Sequence, residues 1–382
     1  MAPIRVGIIG LSTAYNFTGG GTWAAATHLP ALQNLQEEYQ IVALANSTVE
    51  SAKRSAAAHN LPSSVKTYGS AEDIAKDPDV DLVVVSVRVD KHYALVKPAL
   101  LHKKKVIVEW PLAATETEVE ELTRLANQSG VDTAVAVQAR AAPAVQKLKE
   151  IVNSGQIGRV LSSTAVITSS FSTETWGDDL KYYLDISSGG NEFIITFGHS
   201  KVLMLTPLVL DTFVDVLGDL ANPQAVLKVH YPKTKLVNDK GEVVNPEFRK
   251  TSPDHILLQG ITPNGVVSSF AFRKSTEPID ETGIRWIITG TKGEVSITGP
   301  DKWQMLDQEL QLQVKILGGS AQTVNVSSYR VPAALKVAPI AANIASLYAA
   351  FAKGEQSKYA TFDSAAKTHK LLDRIMAATK IQ

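Results

Sequence analysis

Short apolar segments alternate with amphipathic segments along the first third of the chain. Continuous apolar runs predict strands that are buried on both faces: IRVGIIG, YQIVALAN, VDLVVVSV, KVIVEW and DTAVAVQAR. Between them, segments such as TVESAKRSAAAHN and TETEVEELTRLANQSG have the periodicity of helices. Strands that alternate with helices through short turns are typical of a doubly wound parallel sheet. We therefore predict an α/β protein with an N-terminal Rossmann domain over residues 1–142.

The pattern changes after Arg140. Alternation with period two predicts longer strands, such as VLSSTAVITSSF, HILLQGITPNGVVSSFAFR and GIRWIITGTKGEVSITG, and PNG and TKGE are hairpin signals within them. Two amphipathic helices close the chain. We predict that residues 143–382 form a second α/β domain, for substrate binding and oligomerisation, with a large, mostly antiparallel open sheet. No flexible linker separates the domains, which favours a site in the cleft between them.

Charge and cysteine content exclude several classes of function. Lysine plus arginine equals aspartate plus glutamate, at 38 each, so no broad field attracts nucleic acid or anionic lipid, and we expect no direct binding to either. Without cysteine there is no disulfide, thiolate nucleophile or cysteine zinc site, and we expect no metal. The first residues do not have the pattern of a signal peptide, and no apolar run reaches membrane-spanning length. We therefore expect a cytoplasmic protein.

The first predicted strand runs into a glycine turn that departs from the usual spacing. Gly10 ends the strand, but Ser12 stands where a second glycine is expected, and glycines return only at positions 19–21. Such a strand–turn–helix unit offers backbone N–H groups to a pyrophosphate, although it also serves as a plain connection. We predict dinucleotide contacts by Gly10, Ser12, Thr13 and Trp23.

Polar residues follow the other predicted strands of this domain. Asn46 and Ser47 end the second strand, and no acidic residue occurs before Glu50. An acidic residue there would hold the ribose hydroxyls of NAD, and its absence leaves room for a 2′-phosphate. We therefore expect NADP or NAD, with NADP slightly preferred. The further predicted cofactor contacts, each at a strand end, are Ser86, His92, Glu109, Trp110 and Gln138.

Several motifs resemble one family nearly end to end. IRVGIIG, THLPAL, VEWPLA, GQIGRVLSS and IITGTKGEVSITG are similar to the Gfo/Idh/MocA oxidoreductases. The displaced glycines, VEW followed by LA, YxxDI ahead of TFGH, and PDHILLQG resemble the branch that contains the galactose-metabolism repressors of yeasts. The resemblance implies a Rossmann domain, a C-terminal domain with an open sheet, and a bound nicotinamide dinucleotide.

The catalytic pattern of that family is only partly present. The family has Glu-Lys-Pro where this chain has Glu109, Trp110 and Pro111, and an indole cannot replace the charge of the lysine. The family also has an aspartate four residues before a histidine. His199 matches the histidine, whereas Ile195 occupies the aspartate position. The resemblance thus implies a role for His199, which could also be a hydrogen-bonded core residue.

Other polar residues could compensate for this loss. Asp185, Tyr182 and Tyr183 lie upstream of His199 and could substitute in part, or could be structural residues of a loop. Arg140 could bind a substrate hydroxyl or carboxylate, or could form a salt bridge across the domain interface. We predict that the catalytic residues are His199, Tyr183 and Asp185, and that substrate contacts come from Trp110, Arg140, Tyr182 and His199.

Three functions are compatible with these features. The first is an NAD(P)-dependent oxidoreductase that acts on a small alcohol or carbonyl substrate, sugar-like or a secondary metabolite. The second is a non-enzymatic, dinucleotide-binding regulator that acts through a protein partner. The third is a redox-neutral biosynthetic enzyme on the same fold. The open sheet predicts a homodimer or homotetramer in each case.

Overall fold

A computed structural model of the chain describes residues 2–13, 20–169, 174–198, 209–275, 279, 282–300 and 310–379. The chain forms two compact units. The first consists of Met1–Ala141 with Val331–Ala366, and the second of Ala142–Arg330 with Lys367–Gln382. The sequence analysis assigned all of residues 143–382 to the second domain, whereas Val331–Ala366 folds with the first.

The first unit is built on a six-stranded parallel sheet. Its strands are β1 (Ile4–Ile9), β2 (Tyr39–Ala45), β3 (Lys66–Tyr68), β4 (Leu82–Val85), β5 (Lys105–Val108) and β6 (Thr133–Val135). Their order is β3-β2-β1-β4-β5-β6, so the sheet changes direction between β1 and β4. This is the doubly wound arrangement predicted from the apolar runs, and the prediction is confirmed. In such sheets, ligands bind beyond the carboxyl ends of the strands at this switch point.

Helices cover this sheet, and their ends follow local sequence signals. They are α1 (Gly20–Trp23), a π-helix (Ala24–His28), α2 (Leu29–Gln33), α3 (Val49–Ala58), α4 (Ala71–Lys76), α5 (His92–Leu101), α6 (Glu116–Ser129) and α9 (Pro339–Ala352). The Thr115 side chain and Glu118 form a capping box at the start of α6, and Gly130, with φ of 68°, ends the helix. Most of α9 is buried in the core of the first unit.

The second unit contains a large, mostly antiparallel sheet. Its strands are β7 (Val160–Ser169), β9 (Ala221–Lys228), β12 (His255–Ile261), β13 (Val267–Lys274), β14 (Thr282–Gly290), β15 (Gly293–Pro300), β16 (Gln311–Ile316) and β17 (Gln322–Thr323). Their order is β17-β16-β15-β14-β7-β13-β12-β9, and the pair of β7 with β13 is parallel. The predicted open sheet is confirmed. A smaller sheet pairs β8 (Thr175–Gly177), β10 (Lys233–Val237) and β11 (Val243–Arg249).

The large sheet has one buried and one open face. Along β13, Ser268, Phe270 and Phe272 are buried, while Val267 is 57% exposed. Helices α7 (Pro143–Asn153), α8 (Val209–Leu217) and α10 (Phe362–Ala377) complete the α-helices of the described chain. None of the helices in these ranges is long and apolar enough to cross a lipid bilayer.

Candidate functional site

A cavity of about 490 Å³ opens at the carboxyl ends of β1 and β2. It is lined by residues 9–12, 45–47, 51, 69–71, 87, 91, 94 and 95. A second cavity, of about 470 Å³, includes Pro3 and Tyr39 in its lining and lies at the amino ends of these strands. Because ligands of doubly wound sheets bind at the carboxyl ends, the first cavity is the candidate site.

The displaced glycines retain the close packing that the turn requires. Gly10 has φ of 98°, and a Cβ there would lie 2.4 Å from Cγ1 of Val87. A Cβ on Gly21 would lie 2.7 Å from the carbonyl oxygen of Gly10. Both positions therefore exclude larger residues, and Gly21 brings the start of α1 against the turn. The Ser12 N–H donates to the Gly21 carbonyl at 3.0 Å, while Gly19 lies outside the described residues.

Side chains from β2 and α3 hold this turn in place. The carbonyl oxygen of Leu11 accepts hydrogen bonds from Nδ2 of Asn46 at 3.1 Å and Oγ of Ser55 at 2.7 Å. Nε2 of His59 lies 2.6 Å from the carbonyl oxygen of Ser12, so this nitrogen carries a hydrogen. The sequence analysis placed Asn46 at the cofactor but missed Ser55 and His59. Their spacing of four residues, near the end of α3 and just after it, is the signal that could have revealed them.

The part of the cavity beside α3 is neutral and rich in hydroxyl groups. Ser47, Ser51 and Ser70 line it, and Lys91 is the charged residue of the lining. No carboxylate belongs to that lining. Thr13 is exposed and is not among the lining residues.

A buried hydrogen-bond network surrounds Glu109 at the end of β5. One carboxylate oxygen accepts from Nε1 of Trp23 at 2.9 Å and lies 2.6 Å from Nε2 of His28. The other ring nitrogen of His28 lies 2.8 Å from the hydroxyl of Tyr348, on α9. Burial raises the pKa of Tyr348 well above the ordinary value, so the phenol stays protonated. Glu109 thus joins the helix that follows the glycine turn to α9.

The remaining residues predicted in this unit are buried. Ser86 and Gln138 are 0% and 4% exposed. His92 is fully buried, with Nδ1 2.7 Å from the carbonyl oxygen of Pro111 and Nε2 3.0 Å from that of Val87. Arg140 donates to Oγ of Ser364 at 3.2 Å. Contact of these side chains with a cofactor or substrate stays a prediction.

The predicted catalytic residues of the second unit lie in structural contacts where they are described. The rings of Tyr182 and Tyr183 are 4.4 Å apart, and Tyr183 packs in a small apolar cluster with Ile195. Asp185 is exposed and accepts hydrogen bonds from the backbone and hydroxyl of Ser187, which lower the pKa of its carboxyl. A lowered pKa makes Asp185 a weak proton acceptor at neutral pH. His199 lies outside the described residues.

Sequence reasoning missed a buried cluster of charges in the second unit. Nζ of Lys250 lies 2.7 Å from Glu192 and 3.1 Å from Asp254, and Nζ of Lys274 contacts Glu192. Burial lowers the pKa of Lys274. Burial would raise the pKa of Asp254, but Lys250, His255 and two backbone N–H groups lower it. PDHILLQG contains Asp254 and was noted only as a resemblance, because Glu192 and Lys274, which complete the cluster, are distant from it in sequence.

Known proteins share both units of this chain. Residues 4–137 match the family model described as "Oxidoreductase family, NAD-binding Rossmann fold", and residues 143–299 match "Gal80p, C-terminal domain". The dehydrogenase aclE of Aspergillus oryzae is 34% identical, and the alignment covers 78% of this chain and 77% of that protein. The chain belongs to the Gfo/Idh/MocA oxidoreductase family.

The Gal80 regulators are also similar to this Gfo/Idh/MocA protein. The galactose/lactose metabolism regulatory protein GAL80 of Kluyveromyces lactis is 32% identical over 78% of this chain and 64% of that protein. The structure of a Gal80p super-repressor mutant from Saccharomyces cerevisiae matches with a TM-score of 0.83 at 25% identity, over 99% of this chain and 96% of that one. The resemblance predicted from the motifs is therefore confirmed.

The sequence resemblance places Trp110 and Ile195 at two catalytic positions of the family. Trp110, at the position of the family lysine, is fully buried. Ile195, at the position of the aspartate, is 2% exposed and packs against apolar neighbours. Among the described residues, no cluster of three or more histidine, aspartate or glutamate side chains could hold a metal ion. Gly10 and Gly21 thus pack closely in the turn, while neither Trp110 nor Ile195 offers a side chain that can transfer a proton.

Gly21→Ala should destabilise the first unit by about 1–3 kcal/mol, because the added methyl group would overlap the Gly10 carbonyl. Urea unfolding of both proteins measures the difference. Gly319→Ala is the matched control, because its Cβ would approach only the Ile316 carbonyl, at 3.2 Å. Equal destabilisation by the two substitutions would contradict the close packing inferred at Gly21.

Asp254→Asn should destabilise the second unit by about 3–5 kcal/mol at neutral pH, because Lys250 would lose a buried partner. Since the folded-state pKa of Asp254 is lowered, the carboxylate stabilises the fold above the unfolded value of about 4. This stabilisation is lost as the pH falls through the folded-state value. Thermal unfolding against pH should therefore be flatter for Asp254→Asn than for the wild type. Asp178→Asn, at an exposed ion pair, should keep the wild-type profile.

Proposed function

We propose that this protein is an NAD(P)-dependent oxidoreductase that acts on a small alcohol or carbonyl substrate. The observation that carries this proposal is the cavity at the carboxyl ends of β1 and β2, which is lined by Gly10 and Ser12 of the glycine turn. The family model matched by this region describes an NAD-binding Rossmann fold, and a relative with 34% identity is named a dehydrogenase. Bound nicotinamide dinucleotide supplies the hydride chemistry.

The chain offers distinct groups to each part of the dinucleotide. The glycine turn, which lines the cavity with Gly10, Leu11 and Ser12, would lie against the pyrophosphate. Ser47 and Ser51 would face the adenosine ribose. Because no carboxylate lines this part of the cavity, a 2′-phosphate meets no like charge, and NADP should bind at least as well as NAD.

The substrate groups follow from the sequence and the family pattern. His199 would exchange a proton with the substrate oxygen, and Arg140 and Tyr182 would bind polar groups of a sugar-like or secondary-metabolite substrate. Asp185 and Tyr183 are weaker candidates for a catalytic role, because Asp185 is hydrogen-bonded to Ser187 and Tyr183 is packed in an apolar cluster.

A dinucleotide-binding regulator is the second candidate. The observation that favours it is the replacement of the family lysine and aspartate by Trp110 and Ile195, both buried. The similar Gal80 proteins are named as regulators, and in this alternative the dinucleotide would alter the affinity for a protein partner. A redox-neutral enzyme on the same fold would also bind the dinucleotide.

The open face of the large sheet is a candidate surface for self-association. Adjacent strands place Val226, Leu257, Ala271 and Val166 in one row across the sheet. Val226 and Leu257 are 55% and 58% exposed, which is typical of an apolar face that is covered in an oligomer. We propose a homodimer or homotetramer that buries this row.

The function is tested by adding a panel of carbonyl compounds to the protein with NADH or NADPH and following the absorbance of the reduced nicotinamide. Turnover that is lost in His199→Ala and kept in Asp185→Asn supports the oxidoreductase. Dinucleotide binding without turnover on any compound favours the regulator. Absence of binding to either dinucleotide overturns both candidates.

Ser47→Asp should weaken NADP binding by about tenfold or more, because its carboxylate would face the 2′-phosphate. NAD binding should be unchanged or tighter, since a carboxylate can accept hydrogen bonds from the ribose hydroxyls. Calorimetric titration with each dinucleotide measures both constants. Ser47→Asn is the neutral control, and an equal loss of NADP affinity in both variants would contradict the placement of the ribose.

Leu257→Lys should convert the proposed oligomer into monomers, because it places a charge in the centre of the apolar row. Sedimentation analysis measures the mass in solution. Leu335→Lys is the matched control, since Leu335 is 66% exposed but lies in the first unit. An oligomer that survives Leu257→Lys would place the interface elsewhere.

A further inference from the structure

His92 joins the turns that follow two neighbouring strands of the parallel sheet. Val87 lies in the turn after β4, and Pro111 lies in the turn after β5. The buried ring of His92 has one nitrogen within hydrogen-bond distance of each carbonyl oxygen, at 3.0 Å and 2.7 Å. Both turns are at the carboxyl edge of the sheet, where the candidate cavity opens.

The number of protons on this ring decides whether both contacts are hydrogen bonds. A carbonyl oxygen only accepts, and a neutral imidazole donates from only one of its nitrogens. In the neutral form, the other nitrogen of His92 would direct a lone pair at a carbonyl oxygen. The imidazolium donates to both, and such charge-assisted hydrogen bonds favour the charged ring, whereas burial disfavours it. Two hydrogen bonds from the ring to these carbonyl oxygens therefore require protonated His92.

The contacts of His92 with Val87 and Pro111 involve residues that line or adjoin the candidate cavity. Val87 lines the cavity, and the position of a Cβ on Gly10 would be 2.4 Å from its side chain. Lys91, Ala94 and Leu95, which flank His92 in sequence, line the same cavity. A change in the turn at Val87 would therefore displace both the glycine turn and the wall formed by α5.

We propose that His92 is a positioning residue whose protonation bridges Val87 and Pro111 and so holds the cavity in its dinucleotide-binding geometry. This inference rests on the proposed binding of a dinucleotide to the first unit. By linkage, dinucleotide binding favours the protonated ring, and affinity should fall as the pH rises through the titration of His92.

Other charged groups on the elements around α5 have partners of their own. These pairs are Arg88 with Asp90, Lys91 with Asp90, Lys97 and Tyr93 with Glu121, Glu72 with Lys76 and His102, Lys105 with Asp132, and Glu109 with His28 and Trp23. His59 contacts the glycine turn through a single carbonyl oxygen. Among the described residues of the first unit, His28 and His59 are the other buried histidines.

The protonation state is tested without any dinucleotide. Nitrogen-15 NMR of the histidine rings, assigned with His92→Gln, should show hydrogens on both nitrogens of His92 at about pH 7, where a free histidine is mostly neutral. A ring with a single N–H at this pH would overturn the inference.

The functional link is tested by NAD titrations between about pH 6 and pH 9. NAD is used because the 2′-phosphate of NADP titrates in the same range. The dissociation constant of the wild type should rise about tenfold over this range, whereas that of His92→Gln should change less than about twofold, because glutamine does not titrate. His102→Gln, at an exposed pair with Glu72, is the matched control and should keep the wild-type profile.

The outcomes separate this inference from the proposed function. NAD binding with no dependence on pH in the wild type, or an unchanged dependence in His92→Gln, overturns the role of His92 and leaves the proposed function in place. A dependence that disappears in His59→Gln but persists in His92→Gln assigns the effect to the glycine turn and also overturns the inference. Absence of NAD binding at every pH overturns the proposed function together with the inference.

Discussion

The close contact between Gly10 and Gly21 is the constraint on which the candidate site depends. The start of α1 approaches the end of β1 so closely that a Cβ at Gly21 would lie 2.7 Å from the Gly10 carbonyl. Ten residues separate these glycines in sequence, yet the cost of closing a loop grows slowly with its length. The contact therefore tolerates the insertion that disrupts the usual motif. The carbonyl groups of Leu11 and Ser12 accept hydrogen bonds from Asn46, Ser55 and His59. These three side chains lie outside the turn and stabilise it.

The network around Glu109 explains why a distant segment folds with the first unit. A buried carboxylate is costly unless it is paired, and Glu109 is paired with His28 and Trp23. The remaining nitrogen of His28 is satisfied by Tyr348, which lies more than three hundred residues further along the chain. Burial of α9 thus completes both the apolar core and the polar network of this unit.

The sequence predicted those features that depend on local pattern and missed those that depend on distant pairing. The parallel sheet was predictable because strands that are buried on both faces are apolar without alternation. The placement of α9 in the first unit was not predictable, because an apolar helix can be buried in the core of either unit. The same limit applies to Asn46, which was correctly placed at a strand end but whose amide binds the turn itself. The contacts of Glu192 with Lys250 and Lys274 join segments far apart in sequence, and no motif predicted them.

Binding and chemistry are separable in this structure, and this separation defines the functional question. The groups that would hold a dinucleotide are mostly backbone atoms and glycines, which the exchange of neighbouring side chains leaves intact. Proton transfer instead requires an ionisable group, and the family resemblance places Trp110 at the position of a lysine and Ile195 at that of an aspartate, where neither side chain can serve. Asp185 has a lowered pKa and bonds to Ser187, so its carboxyl is ionised near neutral pH. An oxidoreductase therefore needs a proton donor from another position, which the resemblance assigns to His199, whereas a regulator needs no proton donor at all.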